Sequence, residues 1–174
     1  SAPGVPQRGG FIARLSKDCY VWAGESRVRA FAEWRLLKRL TEQGLPVPKP
    51  VAARYQRTGL CYRCDLITER IANAETLSAA LKRGPLAAPR WRAVGAVIAR
   101  LHGAGVDHAD LNAHNLLIDP KGVVTVIDFD RGRVRAAGGA WSQRNLQRLQ
   151  RSLSKTGQYS EESWQWLMAG YGGG

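Results

Sequence analysis

Apolar positions recur along this chain in two rhythms, and the change from one to the other outlines its elements. Residues 1–10 are rich in proline and glycine and read as loose. Over residues 26–43, Phe31, Trp34, Leu37 and Leu40 return at helical spacing, and Gly44, Pro46 and Pro48 end the run. The period then shortens to that of strands. Residues 51–57 and 61–68 read as a hairpin around Thr58-Gly59-Leu60. Residues 75–83 form a short helix, and Pro89 opens a longer one that runs to about His102. Two short strands, Leu116–Ile118 and residues 123–127, flank the turn Asp119-Pro120-Lys121-Gly122. Helices over Ala140–Lys155 and residues 161–170 close the chain. There is no internal repeat. The pattern is α+β, with strands and helices in separate runs along the chain.

Length and composition narrow the class. A chain of 174 residues buries one core, arranged as a single domain of two small lobes. No run of about 18 apolar residues exists to span a bilayer as a helix. The opening Ser1-Ala2-Pro3-Gly4-Val5-Pro6 has no apolar signal core, so the expected location is the cytoplasm. Three cysteines, an odd count, argue against a disulfide scaffold. Cys61 and Cys64 read as strand residues on opposite faces. The formal charge of +12, carried mostly by arginine, suits a partner rich in phosphate. No RNA-binding aromatic motif, zinc motif or helix-turn-helix signal accompanies that charge, so no specific nucleic acid is expected.

The chemistry concentrates in two segments. His108-Ala109-Asp110-Leu111-Asn112-Ala113-His114-Asn115 sets an Asp and an Asn five residues apart in one polar loop. Val126-Ile127-Asp128-Phe129-Asp130 closes a short apolar strand with a second Asp, thirteen residues after Asn115. This is the layout of a phosphotransferase site. Asp110 accepts the proton of a hydroxyl, and Asn115 and Asp128 hold Mg²⁺ on the phosphates of a nucleotide. Short oxygen-bearing side chains at strand ends suit a hard cation. His108 reads as a brace of the loop. A metal-hydrolase set of His102, His108, Asp110 and His114 has no H-x-x-x-H spacing on a helix and no cysteine partner.

Longer stretches extend the pattern. Arg29-Ala30-Phe31-Ala32-Glu33-Trp34-Arg35-Leu36-Leu37, Gly44-Leu45-Pro46-Val47-Pro48-Lys49-Pro50, Gly59-Leu60-Cys61-Tyr62 and Asp128-Phe129-Asp130-Arg131-Gly132-Arg133 join the catalytic loop. Together, from about Arg8 to Tyr171, they resemble the 3-deoxy-D-manno-octulosonic acid (Kdo) kinase family, a lipopolysaccharide branch of the protein-kinase-like superfamily. The resemblance implies a kinase-like fold with a small N-terminal lobe over residues 1–70 and a mostly helical C-terminal lobe over 71–174. It implies ATP-dependent phosphorylation of a Kdo hydroxyl on a lipid A precursor, with Mg²⁺, in lipopolysaccharide core assembly. Asp110 becomes the catalytic base, and Glu33 the helix carboxylate that pairs with a strand Lys or Arg on the nucleotide phosphates. Residues 68–71, with Glu69 and Ile71, fall where such folds hold adenine through backbone groups. Related acceptors, a heptose or an aminoglycoside, are the alternatives.

Departures from the family pattern follow. Only residues 1–25 precede the first helix, Gly9-Gly10 is not a G-x-G-x-x-G loop, and Arg14 and Lys17 are poor stand-ins for the strand cation. The expectation is an N-terminal lobe truncated before the Gly-rich loop and a chain inactive as given. Were that loss native, a non-catalytic basic binding module would be the other reading. In the basic run after Asp128, an extended backbone points Arg131, Arg133 and Arg135 to one side. In the following helix Leu146, Leu149 and Leu153 form the buried stripe, opposite Arg144, Arg148 and Arg151. Arg131 and Arg133 are the expected acceptor-binding residues. The basic region is expected to hold the protein on the anionic cytoplasmic face of a Gram-negative inner membrane. The oligomeric state is left open.

Overall fold

The computed structural model describes residues 11–15 and 19–173. A four-stranded antiparallel sheet comes first, made of β1 (Phe11–Leu15), β2 (Tyr20–Val21), β3 (Pro50–Thr58) and β4 (Cys61–Glu69). β4 is its spine. β1 pairs with residues 65–69 of β4, β2 continues along the same edge at Cys61 and Tyr62, and β3 takes the other edge. The hairpin matches the sequence expectation. β1 and β2 lie where sequence reading placed no element. Whether a phosphate loop precedes them concerns residues 1–10 and 16–18, which lie outside the described residues.

Helix α1 (Arg29–Glu42) packs on this sheet. Its buried stripe is Ala30, Glu33, Leu37 and Leu40, with Phe31 and Trp34 half-buried beside it. The helix starts three residues later than the pattern suggested, because Glu25–Arg27 winds as a single 3₁₀ turn. Trp22 stacks on Tyr55 with centroids 5.3 Å apart, and the Arg57 guanidinium sits 4.9 Å over the Trp22 ring.

The odd cysteine count resolves differently from expectation. Cys19 and Cys61 form a disulfide, with Cα atoms 5.7 Å apart, and Cys64 is the buried free thiol. The register of β2 on β4 brings this pair together across 42 residues, a pairing that sequence spacing does not display.

The second half is built on helices. β5 (Glu75–Thr76) leads into α2 (Leu77–Arg83), whose first turn is capped by the Thr76 hydroxyl accepting from Ala79 N–H at 3.1 Å. Then come α3 (Ala88–Gly103), β6 (Val106–Asp107), β7 (Leu116–Ile118), β8 (Val124–Val126), β9 (Arg133–Val134), α4 (Ala140–Lys155) and α5 (Glu161–Gly172). β5, β7 and β8 form one small sheet, and β6 with β9 form another. A buried cluster runs without a break from Leu37, Leu40 and Leu66 to Leu116, Val126 and Phe129, and on to Leu149 and Leu167. Pro46 joins the halves through its carbonyl, which accepts from Val126 N–H at 2.9 Å.

Helices α3 and α5 cross at two glycines. A Cβ on Gly95 would lie 1.9 Å from the Leu167 carbonyl oxygen, and one on Gly170 would lie 2.1 Å from that of Arg92. Both obstructing atoms are backbone, so relief requires the helices to part. Gly95→Ala is expected to lower stability by about 2 kcal/mol, from overpacking. Gly103→Ala, on the same helix but facing open space, is expected to be neutral or slightly stabilising. Urea unfolding of both variants checks this, and a neutral Gly95→Ala would refute the close crossing.

Candidate active site

Three hydrogen bonds shape the polar loop between β6 and β7. The His108 ring donates from Nε2 to the Ile127 carbonyl at 2.9 Å, tying the loop to the end of β8. Asn115 Nδ2 donates to the Asp110 carbonyl at 3.0 Å, and Ile127 N–H donates to the Asn115 carbonyl at 2.9 Å. His108 is therefore a brace, as expected. Its ring lies 4.7 Å from that of Phe129, and burial pushes its pKa below the ordinary histidine value.

Under the loop sits a buried polar hub. Asp107 accepts from the Asn145 amide at 2.9 Å, from Ala109 N–H at 3.2 Å and from Arg135 Nε at 2.7 Å. Burial works to raise the Asp107 pKa, but these donors outweigh it and hold the carboxyl below its usual range. Asn145 also accepts from His108 N–H at 3.1 Å. Nearby, His102 Nδ1 meets the Tyr171 hydroxyl at 2.9 Å, and the His102 ring stands edge-on to Trp141. Each histidine of the metal-hydrolase set is thus engaged elsewhere or exposed, and no cluster of three His, Cys, Asp or Glu side chains suited to a metal exists among the described residues.

Asp128 follows β8 with φ 67°, in the left-handed region, which costs a non-glycine residue free energy. That turn puts Asp128 at the junction of two cavities. The first, about 290 Å³ and mostly apolar, is lined by Leu66, Thr68, Glu69, Ile71, Asn115, Leu117 and Ile127, with Glu33 at one wall. The second, about 340 Å³ and polar, is lined by Asp110, Asp128, Asp130, Arg131 and Arg148. Asp110 and Asn115 thus open on opposite sides of Asp128, linked by the amide-to-carbonyl bond. Because Asn115 Nδ2 is spent on that bond, its Oδ1 is the end left for a cation. This oxygen and the Asp128 carboxylate are the hard donors that Mg²⁺ takes, so the residues present fit the ion.

Helix α1 grips the same turn. Glu33, only 6% exposed, accepts from Phe129 N–H at 3.0 Å. Arg29 engages Asp130 with two hydrogen bonds, one from Nε at 3.0 Å and one from Nη2, and lies 4.5 Å over the Tyr20 ring. The expected strand partners of Glu33 are not decided by this: the Arg14 side chain and Lys17 lie outside the described residues.

The basic residues divide. Arg131 lines the polar cavity. Arg133 lies exposed on β9, across from Asp107, and Arg135 turns inward to that carboxylate. The expected row of three is therefore broken, because a buried carboxylate draws in its last member. On α4 the stripe Leu146, Leu149 and Leu153 is buried as predicted. Arg148, which the sequence places on the basic side of α4, brings its Nη1 to 3.6 Å from Asp110 Oδ1. Its position on the polar face of α4 was legible, but the direction of that face was not.

These segments also carry the likeness to known proteins. The model of the lipopolysaccharide kinase (Kdo/WaaP) family matches residues 6–171. The chain belongs to that family. Among curated relatives, a 3-deoxy-D-manno-octulosonic acid kinase of Xanthomonas axonopodis pv. citri is 51% identical over 148 residues, 85% of this chain and 59% of the relative. One from Stenotrophomonas maltophilia strain K279a has the same identity and coverage. A third, from Xanthomonas campestris pv. campestris strain B100, is 50% identical over 149 residues. The chain thus spans 59% of the length of these relatives. No helix among the described residues is long and apolar enough to cross a membrane.

Two outcomes follow from these contacts. Burial pushes the His102 pKa from 6.5 down to about 4. Between those values the unfolded chain binds a proton that the folded chain refuses, so stability falls as pH drops from about 6.5 toward 4. The loss is on the order of 2 kcal/mol, and the depressed His108 adds in the same direction. Urea midpoints at pH 7.5 and pH 5 should differ, and His102→Gln should narrow that gap. The Arg29–Asp130 pair should show a coupling of about 1 kcal/mol in a double-mutant cycle with Arg29→Gln and Asp130→Asn, discounted for its partial exposure. Strictly additive effects would remove the pair as the fastening of α1.

Proposed function

We propose that this site transfers the γ-phosphoryl group of ATP to a hydroxyl of Kdo on a lipid A precursor, a step in lipopolysaccharide core biosynthesis. The observation that carries the reading is the meeting of an apolar and a polar cavity at Asp128, with Asn115 opening on one and Asp110 on the other. The apolar cavity suits adenine, whose ring edge would bond to backbone groups at Glu69 and Ile71. The names of the relatives support Kdo as the acceptor sugar.

In this reading Asp110 takes the proton of the acceptor hydroxyl as its oxygen bonds to the γ-phosphorus, and the bond from that phosphorus to the ADP oxygen breaks. Asn115 Oδ1 and Asp128 would hold Mg²⁺, which supplies charge neutralisation for the phosphates. Glu33 is a positioning residue that fixes Phe129 N–H and so the turn bearing Asp128. Arg131 and, farther out on β9, Arg133 serve the anionic acceptor, and forked guanidinium groups suit its carboxylate and phosphates. The same basic face would hold the protein on the anionic surface of the inner membrane, peripherally and from the cytoplasmic side.

The test is incubation of the protein with ATP, Mg²⁺ and a Kdo-lipid A precursor in neutral or anionic vesicles, followed by mass measurement of the lipid. The expected product gains one phosphate and forms faster on anionic vesicles. Asp110→Ala should lower kcat by about 10²–10⁴-fold with the fold intact. The Xanthomonas relative, run alongside, separates the two ways of failing. Transfer by the relative alone would bear out an inactive chain, and transfer by neither would refute the acceptor.

A further inference from the structure

Beside the polar cavity lies a third, about 310 Å³, between the catalytic loop and the exposed side of α4. Arg148, Arg151 and Lys155 line it at spacings of three and four, so they form one stripe over successive turns. Asn112 and His114 of the catalytic loop form its other wall, and no carboxylate lines it. The wall is held in place, because Ala113 N–H donates to the Ser152 hydroxyl of α4 at 3.2 Å. Arg148 lines both this cavity and the one that holds Asp110.

A solvated helix face is the bland explanation, and the lining of the groove argues against it. Its cations face the polar wall of Asn112 and His114 with no carboxylate among them. Several arginines elsewhere have internal partners. Arg29, Arg54, Arg83 and Arg135 pair with carboxylates, and Arg90 and Arg100 donate to carbonyls. Among the described residues, Arg151 and Lys155 have no carboxylate within ion-pair distance. Arg148 has Asp110 at 3.6 Å, but Arg151 and Lys155 are like charges one turn apart and repel one another. An anion in the cavity would remove that repulsion, and a phosphate matches a guanidinium fork beside a lysine.

We infer that this groove binds a phosphomonoester of the acceptor, remote from the hydroxyl that is phosphorylated. The inference rests on the proposed acceptor. The nucleotide is not the source of that phosphate, because its cavity lies across Asp128, at Asn115 and Glu69. The Kdo carboxylate is not the source either. It shares a sugar with the reacting hydroxyl and belongs in the cavity of Asp110 and Arg131. Arg148 then stands between the reacting sugar and the distant phosphate, and Arg151 and Lys155 set the choice of acceptor without touching the reacting atoms.

The test is equilibrium binding without nucleotide. A Kdo-lipid A precursor and its dephosphorylated form are presented in neutral detergent to the wild type, to Arg151→Gln/Lys155→Gln and to Arg151→Lys. The wild type should bind the phosphorylated form about tenfold or more tightly, in line with charge-assisted hydrogen bonds. The double variant should bind both forms alike, and Arg151→Lys should keep most of the preference. Equal affinity of the wild type for both forms, binding to neither, or a preference undiminished in the double variant overturns the inference. So does loss of the preference when anionic phospholipid is added to the micelles, which would assign the groove to membrane headgroups. Phosphoryl transfer is measured separately. A binding preference with no transfer by either this chain or the Xanthomonas relative sinks the functional reading and leaves the groove, and transfer without preference does the reverse.

Discussion

The hydrogen bond from Phe129 N–H to the buried Glu33 carboxylate fixes the geometry on which the site depends. It joins α1, which belongs to the four-stranded sheet, to the turn that carries Asp128. Losing a hydrogen bond to a buried carboxylate is costly, so α1 cannot slide away from this turn cheaply. Arg29 makes the second attachment at Asp130, one turn earlier on the helix. Between the two, Phe129 is almost fully buried against the His108 ring. The strained backbone at Asp128 is thus held from both sides, by the sheet helix and by the catalytic loop.

The catalytic loop needs support from below as well. It has little regular structure, and many of its backbone groups are turned away from water. Asp107 and Asn145 satisfy the groups at its start, and Asn115 satisfies the Asp110 carbonyl at its end. Arg135 completes the hub from β9, and Gly105 permits that approach, since a Cβ there would lie 2.1 Å from the Arg135 carbonyl oxygen. Rigid support concentrates where the reacting groups are presented, while Asp110 itself stays exposed at the loop surface.

Much of this architecture was legible in the sequence. The hairpin, the long helices and the Leu146/Leu149/Leu153 stripe follow from periodicity alone, because burial on one face is a local rule. That Asp128 lies beside both Asp110 and Asn115 was legible for a different reason, although neither cavity at Asp128 is lined by all three. Short strands on either side of a tight turn leave their ends little freedom, so the motif carries its own geometry. What escaped depends on long-range register. The Cys19–Cys61 bond needs the pairing of β2 with β4. The strands before α1 have few residues, and β2 has only two, too short for any period to show. Arg135 looked like the end of a basic row, and only the folded chain reveals the buried carboxylate that captures it. Asp130 replaces the glycine that a kinase motif suggests, and its partner Arg29 lies 101 residues away.

The net charge takes on a different meaning once the arginines are sorted by what they touch. A charge of +12 on 174 residues suggests attraction to phosphate in general. Part of that charge is internal fastening. Arg29 holds α1, Arg135 holds the hub, and Arg100 reaches the Gly44 carbonyl at 2.7 Å to pin the end of α1 against α3. These side chains are engaged in holding the fold together. The cations left facing cavities, Arg131, Arg148, Arg151 and Lys155, border the Asp110 side of Asp128 and not the adenine-sized cavity. On the Asn115 side, oxygen donors suited to Mg²⁺ line the cavity. On the other side the carboxylates of Asp110, Asp128 and Asp130 share one cavity with Arg131 and Arg148. Under the proposed function, Asn115 and Asp128 would face the nucleotide from one cavity, and Asp110 would meet the anionic acceptor in the other, beside Arg131 and Arg148.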